Sequence, residues 1–106
     1  MSFSWKQAIK DFETYLRLEK SLSENSIEAY INDVFKLEKF FEEKKGDTLP
    51  VNVKYSDLKE FLAWLNTENQ NARTQSRVLS GIRSFFRFLL IEGEIMENPA
   101  SLIESP

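Results

Sequence analysis

Four arginines stand in the stretch RTQSRVLSGIRSFFRFLL, residues 73–90, and no acid accompanies them. A guanidinium carries a permanent charge and a planar fork of donors. Arg73, Arg77, Arg83 and Arg87 are therefore suited to anions, whether carboxylate, phosphate or the acceptor edge of a guanine. At 100° per residue, Arg73, Ser76, Arg77, Ser80, Arg83, Ser84 and Arg87 fall within an arc of about 120° on a helix. Val78, Leu79, Ile82, Phe85, Phe86 and Leu89 fall on the opposite side. One face is built for a core. The other offers guanidinium groups between small hydroxyls. Ser76, Ser80, Ser84 and Gly81 put little bulk on or beside it, so an object as large as a duplex groove can approach the backbone. Two plainer accounts are a solvated face and pairing with acids on neighbouring helices.

A second polar cluster lies at SLSENS, residues 21–26. Free N–H groups at a helix start attract anions, so Ser23, Asn25 and Ser26 could hold a phosphate or touch a base edge. Simple capping is the alternative for these residues. Tyr30, one turn on, either joins the same surface or is a core aromatic with a wet tip. Elsewhere the chemistry is thin. Glu42 and Glu43 are adjacent and point apart on a helix. Lys44 and Lys45 read as a solvated end. Trp5 and Trp64 read as core anchors. No glycine-rich phosphate loop and no nucleophile–base pair is present.

Composition narrows the classes further. The chain has 106 residues, one domain's worth, at 42% hydrophobic and 29% charged. It has no cysteine and no histidine, which removes disulfides, thiolate metal sites and the commonest general base. No metal or other cofactor is expected. No apolar run is long enough for a bilayer and no signal pattern opens the chain, so the expected location is cytoplasmic, away from membranes. The net charge is −3. Residues 69–91 nevertheless carry +4, which leaves −7 on the remainder. The positive charge is concentrated on one segment.

The elements that must position these residues are helical. Apolar periodicity places helices at about 4–20, 24–44, 55–68 and 72–91, an all-α bundle of four amphipathic helices with a short C-terminal tail. Ser23 and Asn71 are N-caps, Leu22 and Ile27 have the spacing of a hydrophobic staple, and Asp57 suits a first turn. Gly46 and Gly93 end the second and fourth helices. The loop GDTLPVNVK is expected to run extended, with Val51 or Val53 tucked into the core. Residues 66–71 read as a polar connection, and 99–104 as one short helical turn.

Two segments carry a resemblance. LSENSIEAYINDV (22–34) is similar to the Leu-Ser-x-Asn-Thr-x-x-x-Tyr-x-x-Asp motif of tyrosine recombinases of the Xer and phage-integrase type. RVLSGIRSFFRFLLIEGEIMENPA (77–100) resembles their Arg-x-Leu-Ser-x-Ile-Arg-x-Phe-Tyr segment with the Glu-Gly and Asn-Pro-Ala that follow. YSDLKEFLAWL (55–65) fits the helix between them. The resemblance covers nearly the whole chain, in order and at matching spacing.

It implies the N-terminal core-binding domain, a SAM-like four-helix bundle whose second and fourth helices face duplex DNA at the recombination core site. Matched residue by residue, the implied DNA contacts are Ser23, Asn25, Ser26 and Tyr30 on the second helix. On the fourth they are Arg73, Arg77, Ser80 and Arg83, with Gln75 and Arg87 extending the face. Asn25, Ser26, Gln75 and Arg77 are the base-reading candidates. Departures are Ser26 for the frequent Thr, Lys54 at a usual Thr cap and Phe86 for the frequent Tyr. The family's active site, an Arg, a Lys, a His-x-x-Arg pair, a further His or Trp and a nucleophilic Tyr, belongs to a separate C-terminal domain. The resemblance thus implies a single non-catalytic domain over 1–106, a fragment of a recombinase. Its implied partners are double-stranded DNA, the catalytic domain of the same chain and neighbouring recombinase protomers. The alternative function is a stand-alone protein-interaction module that uses the basic face for an acidic partner.

Overall fold

The computed structural model describes residues 4–68 and 71–103. Its helices are α1 (Trp5–Leu18), α2 (Glu24–Lys44), α3 (Tyr55–Thr67) and α4 (Ala72–Ile91), and no strand occurs among the described residues. The caps follow the side-chain chemistry. Ser4 accepts from the Gln7 N–H at 3.1 Å, Ser23 from Ser26 at 3.2 Å and Asn71 from Thr74 at 2.8 Å. Each satisfies a donor that the first helical turn leaves free. Lys54 has no such oxygen. There Asp57 reaches back to accept the Lys54 N–H at 3.0 Å, which fixes the start of α3.

Gly46 and Gly93 adopt φ of 68° and 74°, the left-handed geometry that lets a chain turn off a helix end. Helix α1 stops short of the expected 20. The chain turns at Ser21, whose φ is 51°, while the Leu22 N–H bonds back to the Leu16 carbonyl at 3.2 Å. The loop expected to be extended instead forms a 3₁₀ turn at Pro50–Asn52, with Pro50 at its first position. Proline's fixed φ suits that position, and its missing N–H would have no partner there anyway. Val53, rather than Val51, is the valine that is buried. The tail forms a turn through 99–102, closed by Ser101 on the Asn98 carbonyl and Ile103 on that of Ala100. Residues 69–70 of the polar connection and residue 104 of the expected tail helix lie outside the described residues.

The core is aromatic. Trp5 stacks on Phe41 at 5.5 Å and on Phe85 at 6.0 Å, and its indole N–H donates to the Thr48 carbonyl at 2.9 Å. One side chain thus joins α1, α2, α4 and the loop after α2. Phe40, Phe61 and Trp64 close α3 onto α2. The six apolar residues expected on the inner side of α4 are all buried, and so is Phe88. Phe86 is fully buried, so the hydroxyl it lacks has no exposed place to act.

A close approach between α2 and α4 centres on Gly81. A Cβ placed on Gly81 would lie 2.3 Å from Asp33 Oδ2 and 2.9 Å from Asp33 Cβ. The sequence suggests that Gly81 thins the outer face for an approaching ligand. The structure corrects this: Gly81 is buried, and its missing side chain makes room for Asp33. Alanine in a helix interior normally stabilises by about 1 kcal/mol relative to glycine. Here the sign reverses, because Asp33 is short and has nowhere to retreat. Gly81→Ala is expected to destabilise by about 1–3 kcal/mol in urea unfolding, and a stabilised variant would contradict this packing.

Candidate nucleic-acid interface

The geometry is organised by one ion pair. Arg77 Nη2 donates to Asp33 Oδ1 at 2.8 Å, and Nη1 donates to Oδ2 at 3.1 Å. The carboxylate side is 1% exposed and the guanidinium side 49%. Asp33 has lost its water, while half of Arg77 keeps it, so solvent screens the cation's pull. Burial accordingly pushes the Asp33 carboxyl up to about 6, against the opposing influence of Arg77 and Lys36.

This contact fixes how the two helices present themselves. Tyr30 shares a recess with Ser84 and Arg87, while Asp33 meets Arg77 and Gly81, so α2 and α4 run in opposite senses. On α2, Asn25, Ala29, Asn32 and Lys36 form one stripe. On α4, Arg73, Arg77, Ser80, Ser84 and Arg87 form another. Each stripe lies about 70–80° around its helix from the residue that meets the partner, Asp33 or Gly81. For antiparallel helices that common offset turns both stripes to the same side of the pair. The result is one surface carrying Lys36, Arg73, Arg77 and Arg87 with asparagines and serines between them. Nearby acids are occupied or off the stripe. Glu24 turns to Arg17 at 2.8 Å, and Glu28 lies on the flank.

The residues singled out in the sequence divide on this surface. Arg73, Arg87, Ser80 and Asn25 are exposed, and none has a side-chain hydrogen-bond partner among the described residues. Ser23 and Ser26 bond to each other across the α2 cap. Tyr30 is half-buried beside Tyr15, Lys20 and Arg87 in a recess of about 240 Å³. Gln75 is buried on the inner side of α4, where its amide donates to Asn66 Oδ1 at 3.3 Å.

Arg83 lies about 80° off the α4 stripe. Its Nε donates to the Ala100 carbonyl at 3.4 Å and its Nη2 to the Ile103 carbonyl. Asn98 completes that clasp by accepting the Ala100 N–H at 2.9 Å and donating to the Arg83 carbonyl. In this geometry Gln75 and Arg83 fasten α4 to α3 and to the tail, away from the outward stripe. Asp33, Lys36 and Asn32 are the site residues that charge counting passes over. The signal for them was available in helical spacing on α2. No group of acids that could hold a metal ion occurs among the described residues.

Comparison with known proteins follows the same lines. The family described as phage integrase, N-terminal SAM-like domain, matches residues 9–93. Tyrosine recombinase XerD of Listeria monocytogenes serotype 4b (strain F2365) is 35% identical over 98 residues, covering 92% of this chain and 33% of that protein. Tyrosine recombinase XerC of Anoxybacillus flavithermus is 38% identical over 95 residues, covering 90% and 31% respectively. Tyrosine recombinase XerC of Leptospira interrogans serovar copenhageni is 35% identical over 107 residues, covering 99% and 33%. The chain spans about a third of the length of these relatives. No solved structure gave a significant match.

The buried pair sets a pH test. With an unfolded value near 3.9 and a folded value of about 6, Asp33 favours the folded state most below pH 4. That contribution is lost as pH rises through 6. The stability of wild type relative to Asp33→Asn should therefore fall between pH 4 and 7. Arg77→Ala strands a buried carboxylate, which can escape by taking up a proton, so it should cost at most about 2 kcal/mol at pH 7.5. It should cost clearly less at pH 5, where Asp33 takes up a proton. Equal costs in urea unfolding at the two pH values would contradict the assignment.

Proposed function

The chain belongs to the phage integrase N-terminal SAM-like domain family, and on that premise we propose that its α2–α4 surface grips duplex DNA as the core-binding part of a site-specific tyrosine recombinase. The observation that carries this is the joint outward turn of two stripes with four cations in an otherwise acidic protein. Arg73 and Arg87 are about 21 Å apart along the α4 axis, against a major groove about 12 Å wide. A helix set across the groove would bring these two arginines to the phosphate backbones on either side. Small residues between them leave the helix free to settle inward. Asn25 and Asn32 on α2 offer amide groups that can both donate and accept.

In this reading the domain supplies grip and orientation, and strand exchange belongs to the catalytic domain of a longer chain. Arg83 and Asn98 support the arrangement by fastening the tail to α4, which sets the direction in which the chain leaves the bundle. Double-stranded DNA, that catalytic domain and neighbouring protomers on the same site are the proposed partners. The proposed location is the cytoplasm, where the DNA is. No helix among the described residues is long and apolar enough to cross a membrane.

Phosphate contacts by Lys36, Arg73 and Arg87 predict a slope of about −2.7 for log K against log salt. Replacing Arg73 and Arg87 by Gln should reduce the slope to about −0.9 and weaken binding to a duplex of about 30 base pairs at least tenfold, with helicity unchanged. Both are read by fluorescence anisotropy at several salt concentrations. An unchanged slope in the double variant would assign the binding to another surface.

A further inference from the structure

We infer that Asp33 is a positioning residue for sequence recognition: it holds the Arg77 guanidinium by its end so that the side edge is presented to a guanine in the major groove. This rests on the proposed binding of duplex DNA by the α2–α4 surface. An arginine has five N–H donors in a rigid plane. Asp33 takes one from Nη1 and one from Nη2, the pair at the end of the guanidinium. The remaining parallel pair consists of Nε–H and the second Nη2–H. These have no partner among the described residues, and the side chain is half exposed. Two parallel donors match the O6 and N7 acceptors of guanine.

Placement favours a base over a phosphate. Arg73 and Arg87 occupy the two ends of the α4 stripe, where the phosphate backbones would pass. Arg77 lies between them, one turn in from Arg73, with the small side chains of Ser80 and Ser84 following it along the stripe and Ala29 on the neighbouring one. It is also the only stripe arginine among the described residues fixed by a buried carboxylate. Gly81 allows that carboxylate to reach it, and a methyl group there would displace Asp33. A phosphate contact needs charge and tolerates a mobile side chain. A base contact needs an oriented one. Immobilisation before binding removes the entropy of ordering a long side chain at the moment of contact.

The test selects duplexes from a pool of about 30 base pairs with a randomised centre, using the wild-type chain. The selected duplex is then compared with one in which a single G·C pair is changed to A·T. Wild type should prefer guanine at one position by roughly 5- to 150-fold. Asp33→Asn and Arg77→Lys should each lower that preference below about threefold, while affinity for unselected duplex changes much less. Should Asp33→Asn fail to fold, the free wild-type protein still decides: an end-held Arg77 gives two resolved Nη nitrogen resonances by NMR. A single averaged signal would overturn the proposal. So would a uniform loss of affinity across all sequences, which marks a phosphate contact, or no selected guanine at all. Selective binding that survives both substitutions overturns this inference alone. Failure of wild type to bind any duplex at low salt overturns the DNA-binding proposal as well.

Discussion

The buried carboxylate of Asp33 is the constraint on which the α2–α4 pair depends. A charged group without water needs a partner, and removing that partner is far more damaging than replacing the pair with apolar groups. Arg77 meets the need from α4, and Gly81 provides the space. Because the bidentate pair accepts few geometries, it sets the rotation of both helices about their axes. A purely apolar contact would tolerate sliding and rolling. The ion pair therefore contributes orientation at least as much as stability, and it places Arg77 beside α2 on the outward surface, one turn in from Arg73.

Charge is sorted by the same scheme. The protein is acidic overall, yet apart from Asp33, held by Arg77, and Glu28 on the flank, its acids lie away from the α2–α4 stripes. Arg17 takes Glu13 and Glu24 at the junction of α1 and α2. Lys45 takes Glu60 and Asp57 beside α3. Exposed pairs of this kind add little stability. Their effect here is on distribution: Glu24, at the start of α2, is engaged by Arg17, which leaves Asp33 as the carboxylate that meets the basic surface. Net negative charge discourages indiscriminate association with nucleic acid, and the local cations remain available for an aligned duplex.

Much of this was legible in the sequence, because apolar periodicity and capping chemistry are local. The helix boundaries of α2 and α4, the caps at Ser23 and Asn71 and the inner side of α4 all follow from residues within a few positions of each other. The rest depended on distant partners. Nothing adjacent to Arg83 indicates that its guanidinium meets carbonyls 17 and 20 residues away. Gln75 has the composition of a surface residue but lies on the inner arc and bonds to α3. Gly81 and Asp33 are 48 positions apart, so a glycine that local spacing assigns to the outer face serves a helix crossing. The Pro50 turn is hidden in the sequence for a different reason: proline fits both an extended loop and the first position of a 3₁₀ turn.

The most direct measurement is a map of amide and side-chain NMR shifts as the labelled chain is titrated with a duplex of about 30 base pairs at low salt. Shifts are expected to concentrate on Asn25, Ala29, Asn32 and Lys36 of α2 and on Arg73, Arg77, Ser80, Ser84 and Arg87 of α4. The outer faces of α1 and α3 should stay quiet. Shifts centred on α1 or α3, or a spectrum unmoved by excess duplex, would contradict the claim that the α2–α4 surface is where DNA is held.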